Sequence, residues 1–86
     1  MYKVRKREGK IVGFDILKIK EAIKKAFDSV ERTYDDNVID FLALKVTSEF
    51  ESKLKDNIIS VEDIQDCVEE VLSKAGYSDV AKSYIL

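Results

Sequence analysis

The sequence predicts an α+β fold, an N-terminal β-hairpin (a small sheet) packed on a four-helix bundle. Three features of the chain carry that reading. It has no proline and only three glycines in 86 residues, which favours helices joined by short turns. Its first residues alternate apolar and basic side chains, as a half-buried strand does. Beyond Asp15, apolar residues recur at three- and four-residue steps, the period of a helix with one buried face. A chain this short buries only about 60% of its unfolded surface, so one domain over residues 1–86 is expected, with every apolar face in use.

The elements follow in order. Tyr2-Lys3-Val4-Arg5-Lys6 reads as the first strand and Lys10-Ile11-Val12-Gly13-Phe14 as the second, with Arg7-Glu8-Gly9 as the turn. Two strands alone are marginal, so the hairpin must rest on helices. Asp15 is a natural N-cap for a first helix whose buried face is Ile19, Ala22, Ile23, Ala26, Phe27 and Val30. A polar break over residues 32–36 precedes a second helix, expected from residue 36 or 37 to 54, with Val38, Ile39, Leu42, Val46 and Phe50 inward. Lys55-Asp56-Asn57 is a turn. Ser60 and Asp63 form an acidic variant of the capping box for a third helix, which buries Val61, Ile64, Val68, Val71 and Leu72 and stops at Gly76. Ser78 is placed to cap a last helix carrying Val80, Ala81, Tyr84 and Ile85. That helix reaches Leu86 in mid-pattern, so an excised piece of a longer chain is expected.

Composition removes several classes of function. A single cysteine, Cys67, excludes an internal disulfide, and without histidine the inventory of a zinc site is missing. Cys67 reads as a semi-buried packing residue, since nothing around it marks an activated thiol. No signal-peptide core or membrane-length apolar run is present, and a cytoplasmic location is expected. Catalysis finds no support: there is no histidine, nucleophile elbow, P-loop or glycine-rich dinucleotide fingerprint.

Charge is more informative than its sum. Residues 1–25 hold nine basic and three acidic side chains, net +6, whereas the remainder holds six and fourteen, net −8. A basic end on an acidic body points to a local anion site more than to a surface for nucleic acid. Lys6 and Arg7 sit at the hairpin tip, and Lys18 falls in the first turn of the first helix. A cation there opposes the helix dipole, and makes better sense if an anion is bound. A triphosphate would suit such a set of donors. The same lysines also fit a solvated strand edge that discourages aggregation.

A resemblance joins these pieces. Val4-Arg5-Lys6-Arg7-Glu8-Gly9-Lys10, followed by Phe14-Asp15-Ile16-Leu17-Lys18-Ile19 and Ala22-Ile23, resembles the opening signature of the ATP-cone family. Ile59-Ser60-Val61-Glu62-Asp63-Ile64-Gln65-Asp66-Cys67-Val68-Glu69 is similar to the family's later block, and Ala81-Lys82-Ser83-Tyr84-Ile85 to its closing one. The three blocks come in the family's order and span nearly the whole chain.

The resemblance implies a site for ATP or dATP, with Mg2+, between hairpin and helices. Lys6 and Arg7 match the hairpin pair that contacts phosphates, and Lys18 matches the helix lysine at the nucleotide. Asp15 matches the polar position near the adenine, while also fitting a plain N-cap. Val4, Val12 and Ile19 would surround the base, and fit equally as core residues. Gln65 would face ribose and phosphates, with Val61 and Ser60 on the same wall. The family commonly continues past the closing block into a Tyr-Arg segment, and lacking one such cation would weaken binding about ten- to a hundredfold.

The resemblance thus implies a non-catalytic domain that reads adenine nucleotides and regulates the overall activity of a ribonucleotide reductase. Its expected partners are the parent's catalytic domain and a second cone in a homo-oligomer, with no membrane and no nucleic acid. The alternatives are the cone of a transcriptional repressor of reductase genes, and a relic cone kept as a structural or oligomerisation module. A repressor of that kind carries a zinc ribbon, whose cysteine pairs this sequence lacks.

Overall fold

In the computed structural model, which describes residues 2–85, the order of elements is β1 (Lys3–Arg5), β2 (Ile11–Gly13), α1 (Ile16–Ser29), α2 (Asp36–Phe50), β3 (Ile58–Ser60), α3 (Val61–Lys74) and α4 (Ser78–Ile85). Leu86, where the sequence leaves its apolar pattern unfinished, and the Ile85 side chain lie outside this description. The α+β class and the four helices are as the sequence predicts.

The hairpin closes through its turn. The Gly9 amide donates to the Lys6 carbonyl (2.9 Å), and the Lys6 amide to the Lys10 carbonyl (2.8 Å). Gly9 sits at φ +94°, a conformation that side chains resist. This is the three-residue loop in which a glycine completes the turn.

The sheet has one strand more than the hairpin expected. Its order is β2-β1-β3, with β1 antiparallel to β2 (Val4 opposite Val12) and parallel to β3 (Val4 opposite Ile59). Ile58-Ile59-Ser60 is too short for alternation to show, and it lies between a turn and a cap, so it reads locally as a linker. The gain is tertiary: β3 satisfies the free edge of β1, and Ile59 is buried. The turn before it is legible. Asp56 and Asn57 both take positive φ (54° and 62°), and Lys55 and Ile58 exchange backbone hydrogen bonds of 3.0 and 2.9 Å. That is the two-residue hairpin turn in which Asp and Asn are tolerated.

Helix ends follow capping chemistry. Asp15 Oδ1 accepts from the Leu17 amide (3.0 Å), Asp35 Oδ1 from Asn37 (2.7 Å), and Ser60 Oγ from Asp63 (3.1 Å). At the end of α3, Gly76 takes φ +90°, its amide donates to the Ser73 carbonyl and the Tyr77 amide to that of Leu72. The six-to-one and five-to-two bonds define a Schellman motif.

Both hairpin strands are shorter than expected by one residue at each end, and two helix boundaries also move. The second helix ends at Phe50 rather than residue 54, because Glu51–Lys53 tighten into a 3-10 turn and Leu54 is extended. No glycine or proline marks that change. Ser78 is the first residue of α4 rather than the residue before it.

The core lies between the helices and one face of the sheet, with Ile23, Phe27, Ile39, Leu42, Val46, Phe50, Ile59, Leu72 and Val80 among its buried side chains. Cys67 is fully buried rather than semi-buried, and burial pushes its thiol pKa up, away from reactivity. Phe50 makes edge contacts with Tyr2 (5.6 Å between centroids) and Phe14 (5.2 Å), so it ties the end of α2 to the hairpin. Phe27 does the same for Tyr34 and Tyr77 at the opposite end. On the outer face of α2, Phe41 and Leu44 remain exposed.

Phe50→Ala should therefore cost about 3–5 kcal/mol and lower Tm by more than roughly 10 °C. Thermal unfolding followed by circular dichroism checks this; a shift of only a few degrees would show that the hairpin does not depend on the aromatic cluster.

Candidate functional site

Side chains from five elements converge where the sheet meets the starts of two helices. Val4 and Lys6 on β1 and just beyond it, and Val12 and Phe14 on β2 and just beyond it, share one face of the hairpin through the period of two. Asp15, Lys18, Ile19 and Ala22 form a stripe along the first two turns of α1. Val61, Ile64 and Gln65 do the same on α3, and Tyr84 of α4 closes the far side. Together they enclose a cleft of about 190 Å³.

The cleft has an apolar floor and a polar rim. Val4 and Ile19 are almost wholly buried, so they serve the core and the cleft wall together. The rim carries two ammonium groups, Lys6 and Lys18, the Asp15 carboxylate and the Gln65 amide. The first turn of α1 contains no acidic side chain, so its partial positive charge adds to that of Lys18. Asp15 spends Oδ1 on the cap, and among the described residues its second oxygen has no partner. Tyr84 is half-buried, and burial alone pushes its phenol pKa up, so the hydroxyl stays protonated as a donor.

Eight of the ten site residues expected from sequence line this cleft: Val4, Lys6, Val12, Asp15, Lys18, Ile19, Val61 and Gln65. The other two lie elsewhere. Ser60 is occupied in capping α3. Arg7 reaches across from the hairpin tip to α3, where Nε donates to Glu62 Oε2 at 3.0 Å and Nη2 donates to Gln65 Oε1 at 2.8 Å. Gly13, Phe14, Ala22, Ile64 and Tyr84 also line the cleft and were not anticipated there. Most carry the same periodicity as the core, which does not distinguish an inward wall from a cleft wall.

An apolar slot rimmed by cations at a helix start has the chemistry to accept an apolar group bearing an anionic tail. The chain belongs to the ATP-cone family, whose model, described as the ATP cone domain, matches residues 2–86. It is 42% identical over 84 residues to a vitamin B12-dependent ribonucleoside-diphosphate reductase of Mycobacterium tuberculosis, covering 98% of this chain and 11% of that protein. It is 44% identical over 89 residues to the enzyme of the same name from Thermoplasma acidophilum, covering 96% of this chain and 11% of the relative. A ribonucleoside-diphosphate reductase subunit alpha from Chlamydia pneumoniae is 36% identical over 87 residues, with 94% and 8% covered. The chain thus spans about a tenth of the length of these relatives. It corresponds to an ATP-cone regulatory domain and is not itself catalytic. Among the described residues, no helix is long and apolar enough to cross a membrane.

The cap can be separated from any ligand role of Asp15. Asp15→Ala should cost about 1 kcal/mol, roughly 4–8 °C in Tm, while Asp15→Asn, which keeps the capping oxygen, should leave Tm nearly unchanged. Equal losses in both variants, read by calorimetry, would show that charge rather than the cap is what α1 needs.

Proposed function

We propose that this chain binds ATP or dATP in the cleft and so regulates the overall activity of a ribonucleotide reductase of which it is an N-terminal part. The observation that carries the reading is the meeting of Lys6, Lys18, Asp15 and Gln65 around one apolar slot at the start of α1. The cleft is smaller than the roughly 300 Å³ at which ligand pockets usually begin. It therefore suits the adenine ring, with the phosphates lying outside it near Lys6, Lys18 and Arg7.

Chemistry favours adenine. The second oxygen of Asp15 accepts from an exocyclic amino group, where guanine would present a carbonyl and meet repulsion. Gln65 offers a donor and an acceptor to the sugar hydroxyls. Among the described residues no group of three or more acidic, His or Cys side chains could hold a metal ion. Magnesium would then arrive with the triphosphate, held mainly by phosphate oxygens and water.

Regulation requires that the nucleotide favour one state of the holoenzyme over another. The partners in that equilibrium are the catalytic domain and a second cone, in the cytoplasm. Val61, Ile64 and Gln65 connect the cleft to α3, which packs on α2 and α4, so a ligand that shifts α3 shifts the bundle's outer surface.

Thermal unfolding with ATP, dATP, GTP and no nucleotide tests the reading. ATP or dATP at a hundred times Kd should add about 2.7 kcal/mol, a rise of roughly 10–20 °C. GTP should do much less, and Lys6→Ala or Lys18→Ala should remove most of the shift. Equal shifts with ATP and GTP, or none at millimolar nucleotide, would contradict the proposal.

A further inference from the structure

We infer that Glu62 is a positioning residue that holds Arg7 on α3 in the free protein and competes with the nucleotide's phosphates for it. The inference rests on the nucleotide-binding reading of the cleft and adds a residue to it.

The hairpin tip divides its cations. Lys6 lines the cleft, whereas Arg7, its neighbour, turns its guanidinium to α3 and engages Glu62 and Gln65. These two lie three residues apart, on adjacent turns of the helix, so one planar fork spans both. Gln65 is itself a cleft residue. Two groups expected to face the nucleotide are therefore occupied with each other, and Glu62 supplies the charge that keeps them so. Glu62 is also in the first turn of α3, where the helix dipole favours a carboxylate, so the acceptor is fixed at that spot.

A phosphate must offer Arg7 more than Glu62 does, and a triphosphate carries more charge than one carboxylate. Both partners are solvent-exposed (67% and 54% for the side chains), so the contact is weak enough to yield. Release of Arg7 also frees the Gln65 carbonyl oxygen. The contact thus couples phosphate capture at the hairpin to a change on α3, and it lowers affinity in a way that salt will blunt.

The test uses Glu62→Gln, Arg7→Ala and the double variant, with ATP titrations by calorimetry and the Arg7 Nε–Hε resonance observed in nitrogen-15 spectra. Glu62→Gln should tighten ATP about two- to fivefold at low salt, and the gain should shrink at high salt. In the Arg7→Ala background the same substitution should give almost no gain, since Glu62 acts through Arg7. Weaker binding in Glu62→Gln, or an equal gain without Arg7, would overturn the inference. The resonance is read without nucleotide: in the wild type it should be displaced from the exposed-arginine position and return to it in Glu62→Gln. An exposed-type resonance in the wild type would sink the Glu62 contact alone, whereas a displaced one with no ATP binding would sink the nucleotide reading and, with it, the competition.

Discussion

The parallel pairing of β1 with β3 is the constraint on which the rest of the structure depends. It joins residues far apart in sequence, Val4 against Ile59 and Arg5 against Ser60. Ser60 is at once the last residue of β3 and the N-cap of α3, so the strand pairing fixes where α3 begins. The partner strand β2 leads through Phe14 to Asp15, the N-cap of α1. Two helix starts are thereby brought beside one three-stranded sheet. The cleft is the space left between them. A loss of the β1 to β3 pairing would separate its walls.

The polar rim follows from the same construction. Lys18 stands in the first turn of α1, where its charge is unfavourable to the helix, and no acidic side chain in that turn offsets it. Asp15 offsets part of this through its cap, but its carboxylate faces the same cleft. The local balance at the rim is therefore positive, as the proposed phosphate binding requires. The acidic surplus of the chain lies mostly elsewhere: Asp40 and Asp36 of α2 pair with Lys20 and Lys24 of α1, and Asp79 of α4 with Arg32. Those surface pairs contribute little individually.

Much of this was legible in the residues. Caps announced the helices because Asp15 and Ser60 each stand one residue before an apolar periodic run, and Gly76 stands after one. Gly9 announced its turn through the positive φ that other residues avoid. β3 was not legible, because three residues cannot show alternation and their pairing is with a distant strand. The end of α2 was missed because Glu51-Ser52-Lys53 would continue a helix as readily as they tighten it. In the candidate site, charges were easier to assign than walls: Lys6, Lys18 and Asp15 stood out by type. Tyr84, Ile64 and Ala22 carry the periodicity of core residues, and only the fold separates the two. Arg7 was placed with Lys6 by adjacency, whereas the long guanidinium finds a partner on α3 that sequence proximity does not reveal.

The most direct test of the account is amide chemical-shift mapping of the chain titrated with ATP. Nucleotide binding in the cleft predicts saturable changes confined to it: Val4 and Lys6, Gly13 to Ile19, Val61 to Gln65, and the backbone near Tyr84. Changes limited to the exposed lysines, fading with modest salt, or spread evenly over the bundle would contradict it. Either would mean that the basic hairpin attracts anions without the apolar slot taking a base.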